Sequence, residues 1–294
     1  MKIRNIPLRK NGQPLKTSPL KGKPLSSWNF AIGLVLVMGS VGIDANERHF
    51  TYNYETAVLA PGEREIEVSN TLGLGKSSYY ANLDHRLEFE TGVADNVMTA
   101  FYLNWSQTTT EGPTSATLAS QFAWKGISNE WKWKLLDPVA DPIGLALYGE
   151  VGYNTDALDL EPKLILDKRI GPWMLVANLI MEFEFEATAD EMKLHEIAPQ
   201  LTLGMAYEVE PGFHTGLEFR QENVVERPSE GEDFEMIISS LFLGPNVSYS
   251  TKNWWVSFTV MPQLPALITE SGGSILDLND HDKLDARLLF SFHI

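Results

Sequence analysis

The amino-acid sequence predicts an all-β chain whose main part is a closed antiparallel transmembrane β-barrel of about 12 strands, connected as an up-and-down meander. Three observations carry that expectation. Apolar and polar residues alternate with a period of two from Arg64 to Ile294. The connections between alternating stretches are short and long by turns. The chain also opens on a segment ordered like an export signal.

That opening segment comes first. Residues 1–45 hold seven Lys or Arg and one acid, Asp44. The basic stretch to Lys23 precedes the apolar run Phe30 to Ile43, whose 14 residues fall short of the ~20 that a bilayer-spanning helix takes. Residues 1–45 therefore read as a signal peptide cut near Ala45, with an uncleaved anchor as the alternative. Residues 46–63 are expected to form an N-terminal periplasmic or luminal segment, and residues 64–294 the barrel. The formal net charge is −16, although the charged residues of the opening segment are nearly all basic, so the remainder is strongly acidic. Binding a phosphate backbone requires Lys and Arg clusters, and no nucleic-acid partner is expected. There is no cysteine, which excludes disulfides and thiol chemistry.

The twelve alternating stretches follow in order, at about 64–75, 79–92, 96–107, 116–136, 143–155, 158–170, 173–187, 195–209, 213–226, 234–250, 254–266 and 284–294. In the first, Glu65 and Glu67 alternate with Ile66 and Val68. The second sets Leu83, Leu87 and Phe89 against Asp84, Arg86, Glu88 and Glu90. The fourth is overlong and reads as one strand bent at Gly126 or as two strands, since Phe122, Trp124, Trp131, Trp133 and Leu135 alternate with Lys125, Lys132 and Lys134. In the seventh, Leu175, Ala177, Leu179, Met181, Phe183 and Phe185 share one side, while Glu182, Glu184 and Glu186 share the other. A helix would scatter those three glutamates. The last sets Leu288, Phe290, Phe292 and Ile294 against Arg287 and His293, and closure pairs it with the first.

A soluble sandwich would show shorter strands and turns every 8 to 12 residues. Here the stretches exceed the ~9–11 residues that cross a bilayer. The short connections are 93–95, 171–172, 210–212 and 251–253, and the longer ones 108–115, 188–194, 227–233 and 268–283. Trp173, Trp254 and Trp255 then fall beside short turns, with Tyr79, Tyr80, Trp105 and Tyr153 toward the other rim, as aromatic girdles would. Four prolines oppose a closed ladder. Pro162, Pro199 and Pro262 are expected near the outer ends, and Pro245 is expected to need a bulge.

The final stretch Asp285 to Ile294 resembles the C-terminal assembly signal of outer-membrane proteins, with Ile294 where that pattern usually has Phe. The resemblance implies the barrel-assembly machinery as a partner. Phe50 to Glu55, Leu59 to Glu67, Trp131 to Pro138 and Gly144 to Glu150 are similar to uncharacterised bacterial outer-membrane barrels grouped with transporters of the phenol meta-pathway type. That likeness implies a multi-pass outer-membrane barrel with a transport role and carries no catalytic residues with it.

With apolar sides toward lipid and lipopolysaccharide, the lumen-lining candidates are Glu65, Glu67, Asp84, Arg86, Glu88, Glu90, Glu150, Glu182, Glu184, Glu186, Glu218, Arg220 and Arg287. Carboxylates outnumber bases, so a narrow, porin-like, cation-preferring path for a small solute is expected. The alternative is a structural or adhesion barrel plugged by cross-strand ion pairs and acting through its external loops. No nucleophile or zinc motif accompanies the six histidines, and neither enzymatic activity nor a cofactor is expected. The acids of 227–233 and 268–283, among them Asp277, Asp280 and Asp282, read as a solvated surface rather than a metal site.

Overall fold

The computed structural model describes residues 47–112, 117–154, 157–187, 192–226, 233–269 and 275–294. The expected signal peptide lies outside the described residues. Twelve strands form one closed barrel in which each pairs antiparallel with its chain neighbours. They are β1 (Arg64–Leu74), β2 (Tyr80–Ala94), β3 (Val97–Glu111), β4 (Leu118–Leu136), β5 (Gly144–Tyr153), β6 (Ala157–Ile170), β7 (Trp173–Ala187), β8 (Met192–Glu210), β9 (Phe213–Glu226), β10 (Glu235–Ser250), β11 (Trp254–Ile268) and β12 (Leu284–His293). Closure is by β1 on β12, from Glu65 opposite His293 to Leu74 opposite Leu284.

The period of two decides which side each residue faces, because successive side chains of a strand point to opposite faces. Leu87, Phe101, Leu103, Leu147, Leu179, Leu203, Leu217 and Phe258 are large apolar residues left exposed on the outside. A soluble chain would not leave so continuous an apolar exterior around its whole circumference. The inward positions are buried and largely polar, as with Glu65, Glu67, Glu88, Asn178, Thr202 and Glu218. Lipid is therefore the outer solvent, and the protein is a multi-pass β-barrel of the outer-membrane type. At the short-turn end Trp173 packs edge-on against Tyr207, and Trp254 lies between Tyr249 and Phe290.

The overlong fourth stretch is a single strand, irregular at Gly126 as the first of its two readings expected, while other expectations need correction. Asn104 pairs with Gly126 and Trp105 with Trp124, so Lys125 is the extra residue of a bulge. Gly126 sits at φ 107°, and a Cβ there would come 2.2 Å from the Tyr153 carbonyl oxygen. Pro245 needs no bulge, because the register is the same on either side of it, from Phe242 opposite Gln263 to Asn246 opposite Thr259. Trp255 is no girdle residue. It faces inward, 2% exposed, and donates its indole N–H to Glu65 at 2.6 Å. The connections 108–115 and 188–194 are shorter than expected, since β3 runs on to Glu111 and β8 begins at Met192.

Candidate functional site

The lumen is occupied by the chain's own N-terminal segment. Residues 48–56 reach inward-facing groups on β1, β6, β7, β9, β11 and β12, and only a position inside the barrel touches strands spread around its circumference. The segment forms no strand despite the brief alternation from Phe50 to Glu55, so its backbone donors must find side-chain acceptors.

Glu218 supplies the largest set. It is fully buried and accepts the backbone N–H groups of Thr51 at 2.8 Å, Tyr52 at 2.8 Å and Asn53 at 3.1 Å. The side chains of Thr51, Asn53, Asn246 and Thr259 donate to the same carboxylate. Successive N–H groups converging on one anion form a nest, and charge-assisted bonds of this kind are the stronger ones. Asn178 brackets Tyr54, accepting its N–H at 2.7 Å and donating to its carbonyl at 2.9 Å. Asp167 accepts from both the N–H and the hydroxyl of Thr56. Arg48 pairs with Glu67 at 3.4 Å, and Phe50 fills an apolar niche of Met174, Val176 and Ala206. His49 holds Glu55 within the segment at 3.0 Å.

Toward the long-loop end the lumen opens into a cavity of about 470 Å³ whose floor includes Thr51, Tyr52 and Tyr54. Cations stack on that floor. The Tyr52 ring has the Arg220 guanidinium at 4.4 Å and that of Arg287 at 4.3 Å, while Tyr54 has Arg48 at 4.2 Å and Lys163 at 3.9 Å. Of these bases Arg48, Lys163 and Arg220 are tied to acids, as is Arg86 nearby. Arg86 meets Glu150 at 3.4 Å, Lys163 meets Glu161 at 2.7 Å, and Arg220 bridges Asp285 at 2.7 Å and Glu222 at 3.3 Å.

Of the residues singled out in the sequence, Glu67, Asp84, Arg86, Glu88, Glu150, Glu182, Arg220 and Arg287 border this cavity. Glu65 and Glu90 are buried near the short-turn end, and Glu218 lies beneath the floor, bonded to the segment. Glu184 and Glu186 stand at the outer end of β7 and do not border the cavity. The filling is also not what the plugged alternative expected. Cross-strand pairs contribute, but residues 48–56 take up the central space. The acceptors Asn178 and Asp167 gave no signal of this role beyond being polar on an inward side. The loop after β11 holds a further departure, because Asp277 is 2% exposed rather than solvated. His281 bridges Asp277 at 2.6 Å and Glu222 at 3.0 Å and packs on Phe242. Among the described residues no serine hydroxyl bonds a histidine ring.

A family of unknown function, DUF6662, matches residues 43–294. No curated protein is significantly similar in sequence. Among solved structures, the COG4313 outer membrane channel from Pseudomonas putida F1 superposes with a TM-score of 0.60 at 11% identity, covering 81% of this chain and 98% of that one. The NanC porin gives a TM-score of 0.48 at 8% identity, covering 78% of this chain and all of that one. At 11% identity the likeness to the COG4313 channel is one of fold alone.

Proposed function

The chain belongs to the DUF6662 family, whose function is unknown, and from that premise we propose that it is a narrow outer-membrane channel for small solutes, closed by residues 47–60 and favouring cations when open. One observation carries this reading. The cavity enters from the long-loop end and stops on Tyr52 and Tyr54, which belong to a segment fastened to the wall by side-chain hydrogen bonds rather than woven into the sheet. Each such bond contributes about 1–3 kcal/mol, so the segment can leave while the backbone ladders of the barrel stay whole. Eight acids and six bases border the cavity; Arg48, Arg86, Lys163 and Arg220 are committed to ion pairs, while Lys125 and Arg287 have none among the described residues. Asp84, Asp159 and Glu182, which also border it, have no ion-pair partner among the described residues. Carboxylates left uncompensated along a path favour cations.

The test is reconstitution of the full chain in planar bilayers under a salt gradient. Small openings with a cation-selective reversal potential are expected, with larger and longer openings once residues 48–58 are deleted. Silence from both proteins, each verified as folded, would remove the channel reading.

A further inference from the structure

On the short-turn side of the cavity, which Glu67 and Glu88 border, β1 and β2 place four glutamates in a square. Glu65 is opposite Glu90, and Glu67 is opposite Glu88. All four face inward and are between 0% and 5% exposed. Like charges directly opposite each other are destabilising, and unpaired buried carboxylates cost several kcal/mol each. The bases in reach do not balance them. Arg48 takes one oxygen of Glu67, Arg86 is committed to Glu150, Arg287 donates to Thr71 and the Thr51 carbonyl, and Lys132 shares the inward face of β4 with a further acid, Glu130.

We infer that Glu67, Glu88 and Glu90 form a site for one hard divalent cation of the calcium class, set between the barrel wall and the luminal segment. One carboxylate oxygen from each of the three lies within 4.8 Å of the others. A calcium-class ion sits ~2.4 Å from its oxygen ligands, so ligands on opposite sides of it are about 4.8 Å apart. The spacing therefore fits an ion held between them. A second, independent observation points the same way. Glu67 Oε2 is fully buried with no hydrogen-bond partner among the described residues, although Oε1 of the same carboxylate is held by Arg48. Glu65 repeats the pattern, with Oε1 accepting from Trp255 and Ser291 while its buried Oε2 has no hydrogen-bond partner among the described residues. The donors are carboxylate oxygens alone, which selects a hard ion over zinc or copper. Because Glu67 also holds Arg48, an ion here would fix the orientation of the residue that anchors the start of the luminal segment.

The experiment reads binding rather than current, so a barrel that conducts nothing leaves it intact. The full chain, folded in detergent and stripped with a chelator, is titrated with CaCl2 by calorimetry. One calcium per chain is expected, with affinity falling about tenfold or more in Glu88→Gln and in Glu90→Gln, because affinity follows the number of charged ligands. Each substitution removes a like charge, so folding, checked by heat-dependent gel mobility, is expected to survive. A second measurement needs no variant. Terbium bound at this site lies beside Glu65 and its donor Trp255, so tryptophan-sensitised luminescence that calcium quenches is expected. Wild-type protein taking up no stoichiometric calcium would overturn the site in favour of carboxylates that share protons. Equal binding by wild type and both variants would overturn it in favour of acidic groups elsewhere.

Discussion

Replacing Glu218 by Gln tests the luminal segment most directly, because the exchange keeps the shape and removes the charge. Oε1 now accepts the Thr51 N–H, and Oε2 accepts those of Tyr52 and Asn53. A glutamine must turn its NH2 toward one of these two sets, leaving one or two buried backbone donors facing another donor. The hydroxyls of Thr51 and Thr259 can rotate to adapt, but the backbone cannot. Each orphaned donor costs about 1–3 kcal/mol, and the remaining bonds lose the assistance of the charge, so the loss is on the order of 2–5 kcal/mol. At about 1.4 kcal/mol per factor of ten, the displaced state gains roughly 30-fold or more. Hydrogen exchange at the amides of residues 51–53 is therefore expected to quicken by that factor, while the strand amides of β9 and β10 remain protected. Open probability in bilayers is expected to rise with it. Unchanged exchange and unchanged conductance in a folded Glu218→Gln protein would refute the argument that this carboxylate holds the segment in place.

Three further outcomes follow from the same geometry. Burial alone would lower the pKa of His281, but the hydrogen bonds and charges of Glu222 and Asp277 outweigh it and raise the value above the ordinary one. Arg220 and Asp285 stand behind Glu222, and Asp280 and Asp282 lie on the loop itself. A raised histidine contributes its stabilisation fully below its unfolded pKa of ~6.5 and loses it as pH rises through the folded value. Limited proteolysis within 275–283 is thus expected to accelerate in alkaline buffer, and His281→Gln should flatten that dependence. A Cβ on Gly204 would come 2.6 Å from Val176 Cγ1 and 2.8 Å from Phe50 Cε1. Gly204→Val should therefore expel Phe50 from its niche and raise conductance at a cost of about 1–3 kcal/mol for overpacking, with unchanged currents speaking against it. On the outside, Leu203 is 41% exposed in the middle of β8. Leu203→Arg should lower folding stability in vesicles by about 2–4 kcal/mol, measured by urea unfolding, and a neutral effect would mean that this face does not meet lipid.

The barrel itself was legible in the sequence because its signal is local. Leu175 to Phe185 and Asp84 to Glu90 disclose their two sides without reference to any other strand, and twelve such stretches admit closure of the first on the last. The same alternation misplaced Trp255, since an aromatic beside a turn looks alike on either face until its partner Glu65 is known. Alternation also says on which side a residue lies and never what faces it across the lumen. Glu218 and Thr51 are 167 residues apart, and nothing in the brief alternation from Phe50 to Glu55 reveals that its amides would satisfy a wall carboxylate. The burial of Asp277 depended likewise on His281 reaching Glu222, on a strand distant in sequence. The sequence by itself determined the wall and its two faces. Only the tertiary structure decided what fills the lumen, because those contacts join groups that share no local pattern and meet only when the barrel closes around them.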